Sequence, residues 1–148
     1  MSGKSETLRL KNQLCFPLYL CAKEIVNKYA SPLSELDLTY TQYIIMMYMW
    51  EKESSNQKEI AQTLLLDPST LTPLLRKLEA KGFIVRARSE IDERNVIFSL
   101  TDSGRELEKR ALGVPEMMKS CLDLTEEEGL QLYTLLYKVL MNLERNEE

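Results

Sequence analysis

A chain of 148 residues with 44% apolar and 28% charged residues has the size and composition of one ordinary globular domain with its own core. Its net charge of -4 excludes a uniformly basic polyanion binder, and its three cysteines with no histidine, lacking any C-x-x-C spacing, exclude a disulfide framework and a common zinc site. MSGKSETLRL has no signal-peptide core and no stretch approaches the ~18 apolar residues of a membrane span, so the expectation is a cytoplasmic protein without a membrane partner.

In chain order, the first element is a helix from about Leu8 to Tyr29, with an apolar stripe at Leu14, Leu18, Cys21, Ile25 and Tyr29. Pro17 either kinks it or marks its true start. Thr39 and Gln42 have the spacing of a capping box and open a Met-rich helix to Trp50. A short helix follows over Gln57 to Leu65, with Ile60, Ala61 and Leu64 inward. Leu66 and Asp67 then form the turn of a helix-turn-helix.

Asp67 is placed to N-cap the next helix with its carboxylate, and Pro68 falls at the first helical position, where a missing N–H costs nothing. Leu71, Leu74, Leu75 and Leu78 make one apolar stripe. The opposite face carries Ser69, Thr70, Thr72, Pro73, Arg76 and Lys77, with side chains at its N-terminal end short enough to lie against base edges. Gly82 is the expected left-handed stop, and Phe83 can fold back on the last turn. A surface helix packed by leucines would look the same, so the helix alone decides nothing.

The next segment adds the deciding signal. Ile84 to Arg88 and Asn95 to Leu100, where Val96, Phe98 and Leu100 alternate, read as two strands of a hairpin with a charged tip. Arg86, Arg88 and Arg94 are its cations. Asp92, two residues from Arg94, is expected to hold that guanidinium in a fixed direction, which suits a narrow, negative minor groove. Helix, glycine stop and basic hairpin together make a winged helix, a shape that places one element in each groove of double-stranded DNA. From Arg76 to Arg110 nine Lys or Arg face seven Asp or Glu, a local +2, which leaves -6 for the rest.

Thr101 reads as the N-cap of a long helix that Pro115 breaks or kinks, and Thr125 with Glu128 forms a second capping box opening Glu126 to Leu143. That last helix sets Leu132, Leu136, Val139, Leu140 and Leu143 on one side and Tyr133 and Tyr137 on an adjoining face. The expected fold class is mainly α with a small β-hairpin wing, a winged helix-turn-helix flanked by N- and C-terminal dimerisation helices. The expected organisation is a single domain over 1–148, with a DNA-binding lobe over 36–110 and dimerisation helices over 8–30 and 111–145. A two-fold homodimer would set its two reading helices about one DNA turn, ~34 Å, apart and would read a palindromic operator.

The run from the helix-turn-helix through DER and SLTDSG resembles the MarR family of bacterial winged-helix regulators over essentially the whole chain. Within it, LKNQLCFPLYLCAKEI, LTYTQY and LDPSTLTPLLRKLEAKGFI are similar to the OhrR branch, which senses organic hydroperoxides, and share much with thiol-based regulators of the MgrA and SarZ kind. The resemblance implies a DNA-binding regulator, a repressor that leaves its operator on oxidation, and no cofactor, metal or enzymatic turnover. It places the reactive cysteine at Cys15, and at Tyr29 and Tyr40 the tyrosines that hydrogen-bond it from the partner subunit, with Tyr19 nearby. A lone cysteine is ordinarily a small buried hydrophobe, but phenol donors and the start of a helix favour a thiolate, the form that attacks a peroxide. Cys121 matches the position of a resolving cysteine in two-cysteine members, which implies an intersubunit Cys15 to Cys121 disulfide. Cys21 lies about 9 Å along the same helix from Cys15 and off its face, so it reads as a core residue. Two other readings share these residues: a regulator whose signal is a small phenolic ligand in the dimer crevice, and a thiol peroxidase.

Overall fold

The structure, a computed structural model, describes residues 6–145. It comprises two compact units, one running up to Leu112 and the other starting at Gly113. In the first, a single 3-10 turn at Leu10–Asn12 precedes helix α1, Cys15–Ser34. The helix therefore starts seven residues later than the apolar pattern implies. Pro17 settles the start, because it lies in the first turn, where its missing N–H has no intrahelical partner to lose.

Helix α2, Tyr40–Lys52, opens on the expected capping box with both arms made: the Gln42 amide N–H donates to Thr39 Oγ1 at 3.4 Å, and the Thr39 N–H to Gln42 Oε1 at 3.0 Å. Glu53, at φ 64°, turns the chain into a short strand, β1, Ser54–Asn56. Sequence periodicity gave no sign of it, since Ser, Ser and Asn neither alternate in polarity nor carry branched side chains. Helices α3, Gln57–Leu64, and α4, Pro68–Ala80, form the helix-turn-helix, with Leu65 in the left-handed conformation at the turn.

Strands β2, Ile84–Arg88, and β3, Val96–Leu100, pair antiparallel with Ile84 opposite Leu100 and Arg88 opposite Val96. Strand β1 adds to the other edge of β3, with Ser55 opposite Phe98, giving the order β1-β3-β2. Phe98 and Leu100 face the core as the alternation implies, whereas Val96 is 37% exposed because it sits beside the hairpin tip, beyond the reach of the helices. Helix α5, Asp102–Ala111, starts at Thr101, whose hydroxyl accepts from the Gly104 N–H at 3.0 Å.

The core of this unit collects Tyr43, Ile45, Met46 and Met49 from α2, Ile60 from α3, Leu71, Leu75 and Leu78 from α4, Ile84, Phe98 and Leu100 from the sheet, and Leu107 from α5. Each such side chain contributes roughly 1.5–3 kcal/mol by leaving water, enough to fix the pose of α4. Leu74, the fourth leucine of the α4 stripe, lies at its edge and is half-buried.

The second unit holds α6, Val114–Leu122, and α7, Glu126–Arg145. Pro115 stands in the first turn of α6, so the long helix expected after Thr101 is interrupted here. The second capping box is complete, with Thr125 N–H to Glu128 Oε2 at 2.9 Å and Glu128 N–H to Thr125 Oγ1 at 3.2 Å. None of the 20 residues of α7 is buried.

Candidate nucleic-acid interface and thiol site

Pro68, Ser69, Thr70, Pro73, Arg76 and Lys77 are all exposed on α4, and Thr72 is half-buried at the flank of that face. Asp67 is the N-cap residue, but its carboxylate accepts no capping hydrogen bond; its backbone carbonyl takes the Thr70 and Leu71 amides at 3.0 and 2.9 Å. The capping role expected of its side chain is therefore not played. Pro73 stands inside the helix and cannot donate to the Ser69 carbonyl as an ordinary residue would.

Thr72 is held from two sides. Its hydroxyl donates to the Pro68 carbonyl at 2.8 Å and accepts from Gln57 Nε2 at 2.7 Å, which fastens the start of α3 to the first turns of α4. Gln57 was not singled out from the sequence; its position one residue after the Asn56 N-cap was the available signal. Asn56 Oδ1 takes the Glu59 N–H at 2.9 Å.

The far end of α4 is equally fixed. Gly82, at φ 80°, donates to Glu79 O at 2.9 Å while Phe83 N–H returns to Leu78 O at 3.1 Å, the paired bonds of a Schellman stop. The Thr101 hydroxyl donates to the Gly82 carbonyl at 2.6 Å, and the Trp50 indole donates to the Gly104 carbonyl at 2.9 Å. A Cβ on Gly104 would fall 2.2 Å from the Phe83 carbonyl oxygen, so only glycine lets α5 approach the start of β2 this closely.

In the wing, Asp92 does not hold the Arg94 guanidinium as expected. Its carboxylate accepts from the backbone N–H of Arg94 at 3.0 Å and the side-chain amide of Asn95 at 3.4 Å. The Ser89 hydroxyl oxygen takes the amides of Ile91 and Asp92 at 3.2 and 3.4 Å, and Ser89 N–H bonds Asn95 O at 2.8 Å. A short carboxylate two residues upstream reaches a backbone amide more readily than a long side chain's tip, so the tip's backbone is ordered and the Arg94 side chain is left exposed. Arg86 pairs with Glu79 of α4 at 3.5 Å, while Arg88 projects from the exposed end of β2.

Cys15 is the first residue of α1, exposed and unpaired. Tyr19 is exposed one turn further on. Tyr29 stacks on Tyr40 with ring centroids 4.8 Å apart and on Tyr43 at 5.8 Å. Burial, then the neighbouring Tyr40 and Tyr43, push the Tyr29 phenol above its ordinary 10.0, and burial with Tyr40 does the same for Tyr43. These phenols thus stay protonated donors at neutral pH. Positions 15 and 29 are separated by about 21 Å of rise along one helix, so Cys15 cannot meet Tyr29 of its own chain. Tyr43 joins the cluster unannounced by sequence, where it read only as one residue of an apolar run.

Cys21 is exposed, which corrects its expected place in the core: of the stripe to which it belongs, Leu18, Ile25 and Tyr29 are half-buried and none is fully buried. Cys121, on α6, is also exposed and unpaired. Among the described residues no cluster of His, Cys, Asp or Glu could hold a metal ion, and no helix is long and apolar enough to cross a membrane.

Residues 27–110, which span α4 and the wing, match the family described as transcriptional regulator SarA/Rot. The chain belongs to this family of MarR-like winged-helix regulators. This SarA/Rot-type chain is 38% identical over 143 residues to the organic hydroperoxide resistance transcriptional regulator of Bacillus subtilis, covering 97% of each protein. It is 42% identical over 124 residues, 84% of each, to the HTH-type transcriptional regulator SarZ of Staphylococcus aureus. Its fold matches the structure of reduced AbfR bound to DNA with a TM-score of 0.81 and 32% identity, covering 98% of this chain and 99% of that one. These relatives are regulators, and the chain is a transcriptional regulator homologous to them and not an enzyme, which sets aside the thiol-peroxidase reading.

Proposed function

We propose that the chain is a homodimeric, cytoplasmic repressor that binds a palindromic operator in duplex DNA when reduced and releases it when an organic hydroperoxide oxidises Cys15. The observation that carries this reading is the free, exposed Cys15 at the head of α1 in a chain that matches a hydroperoxide-resistance regulator along 97% of its length. On this reading 1–148 acts as one functional domain: residues 36–110 grip DNA, and 8–30 with 111–145 join the two copies. Ser69, Thr70, Pro73 and Arg76 face the major groove, Pro68 and Lys77 flank them, Thr72 is set by Gln57, and Arg88 and Arg94 reach the flanking minor groove. Arg86 contacts phosphate from its ion pair with Glu79, and Asp92 shapes the tip that presents Arg94.

The chemistry is a two-step exchange. The Cys15 thiolate attacks the peroxide oxygen, the O–O bond breaks, and the alkoxide leaves as an alcohol after taking a proton, giving a sulfenic acid. The Cys121 thiol of the partner copy then displaces water to form the disulfide. Tyr29 and Tyr40 of the partner, with Tyr19 nearby, donate hydrogen bonds to the thiolate. Moving the dimer from mostly bound to mostly free needs about 5 kcal/mol of difference between the two forms, which is within reach of one strained or constraining disulfide.

A gel shift on DNA flanking the gene for this chain, with reduced and cumene-hydroperoxide-treated protein, tests the reading. Oxidation is expected to abolish the shift in the wild type and to leave Cys15→Ser bound. Release of Cys15→Ser by peroxide would remove Cys15 from the mechanism.

A further inference from the structure

Oxidation at Cys15 falls at one end of α1, whereas the DNA-facing side chains lie on α4. The two helices are linked through very little of α1. Among its residues only Leu33, near the C-terminal end, is buried, with Tyr29 half-covered by its contacts to Tyr40 and Tyr43. In the N-terminal half of α1 only Leu18 is as much as half-buried. A 20-residue helix is a stiff rod about 30 Å long, so within one chain a displacement at its Cys15 end reaches the head through its C-terminal end and the turn that follows.

That turn is gripped by two cations of the head. Lys81, which caps the C-terminal end of α4, donates from Nζ to the backbone carbonyl of Asp37 and to Gln42 Oε1 at 3.1 Å, with the Asp37 carboxylate 3.4 Å away. Arg110, from the last turn of α5, donates to the Glu35 carbonyl at 2.7 Å. Asp37 itself holds a left-handed backbone, φ 55°, and Gln42, only 2% exposed, uses the same Oε1 to cap α2. Three parts of the chain therefore share one ammonium: the turn that follows α1, the start of α2 and the end of α4. Neighbouring Gly82 and Phe83 carry the stop of α4 into the wing.

We infer that Lys81 is a positioning residue that couples α1 to the reading helix, so that oxidation at Cys15 re-aims α4 by moving the turn to which Lys81 is fastened. The inference rests on the redox reading proposed above. Lys81 lies outside the DNA-facing set, and its removal leaves the α4 core leucines, the Gly82 stop and the Thr39 cap in place. Coupling of this kind is a property of an element with two arrangements, and it shows as a change in the ratio of two affinities more than in either alone.

The test compares the full-length wild type with Lys81→Met and Lys81→Arg. Affinity is read by fluorescence anisotropy on a duplex selected from a random pool by the reduced wild type. Oxidation of Cys15 by cumene hydroperoxide is followed by mass spectrometry, and amide hydrogen exchange is read over residues 78–83. The wild type is expected to lose at least about tenfold in affinity on oxidation. Lys81→Met is expected to oxidise at the same rate, to bind DNA when reduced within about threefold of wild type, and to lose less than about threefold when oxidised. Its 78–83 exchange is expected not to respond to oxidation, unlike that of the wild type. Lys81→Arg, which keeps the cation, restores both responses and controls for a general loss of stability. If Lys81→Met keeps the wild-type affinity loss and exchange response, the coupling role is overturned. If oxidised wild type keeps its affinity, the redox reading fails, and exchange alone then decides on Lys81: a response confined to the wild type upholds the coupling, and one equal in both proteins or absent from both overturns it.

Discussion

The reading head and the two 20-residue helices α1 and α7 are built from similar residues and meet opposite fates. In the head, every apolar stripe finds a partner inside the chain: α2, α3, α4 and the sheet close on one another, and Ile45, Met46, Ile60, Leu71 and Leu78 are completely covered. Helix α1 covers one residue of its 20, and α7 covers none while presenting Leu132, Leu136, Val139, Leu140 and Leu143 to solvent. Exposed apolar surface on this scale marks an interface that is still to be made. The contrast separates a part whose shape is self-sufficient from two helices whose apolar faces stay open in the single chain, and on the function proposed above a second copy covers them.

The sharpest break of the self-sufficient part is Gly104→Ala. The added methyl would meet the Phe83 carbonyl at 2.2 Å, backbone against backbone, with no flexible side chain to yield. Urea unfolding is expected to show a loss of about 3 kcal/mol or more, beyond the usual cost of an overpacked site. A loss below about 1 kcal/mol would mean that α5 and the start of β2 are not held in this contact. The complementary experiment leaves the head alone. Leu136→Asp with Leu140→Asp puts charges on the open stripe of α7, and sedimentation is expected to show dimer affinity reduced by at least about thirtyfold, roughly 2 kcal/mol, with the helical content of the head unchanged. Persistence of a tight dimer would assign that stripe to something other than a second copy. The smallest effect is expected from Thr101→Ala, which removes an N-cap and the hydroxyl bond to Gly82. About 1–2 kcal/mol should be lost by the same urea measurement, and Thr101→Ser should recover most of it.

Much of the chain was readable residue by residue because the signals are local. Thr39 and Gln42, Thr101, Thr125 and Glu128, and Gly82 each act within one helical turn, so three or four letters of sequence carry the whole interaction. The same locality made α4 and its exposed polar face legible. Asp67 and Asp92 show the limit of this. Each carboxylate suggests a particular partner and neither bond is made: the Asp67 carboxylate accepts no capping bond, and Asp92 bonds the Arg94 amide in place of the guanidinium. A short acidic side chain has several acceptable partners within reach, and spacing alone does not rank them.

By itself the sequence determined where α2, α3, α4, α5 and α7 start, which faces are apolar, and which residues stand on the exposed side of α4 and in the wing, because these follow from period and capping within a few residues. Only the tertiary structure decided the pairing of β1 with β3, the bond from Gln57 to Thr72, the exposure of Cys21, and the meeting of Lys81 with Asp37 and Gln42 some forty residues away in the chain. Each of these depends on how whole elements pack, and a long flexible side chain such as lysine finds its acceptors only after packing has set them in place.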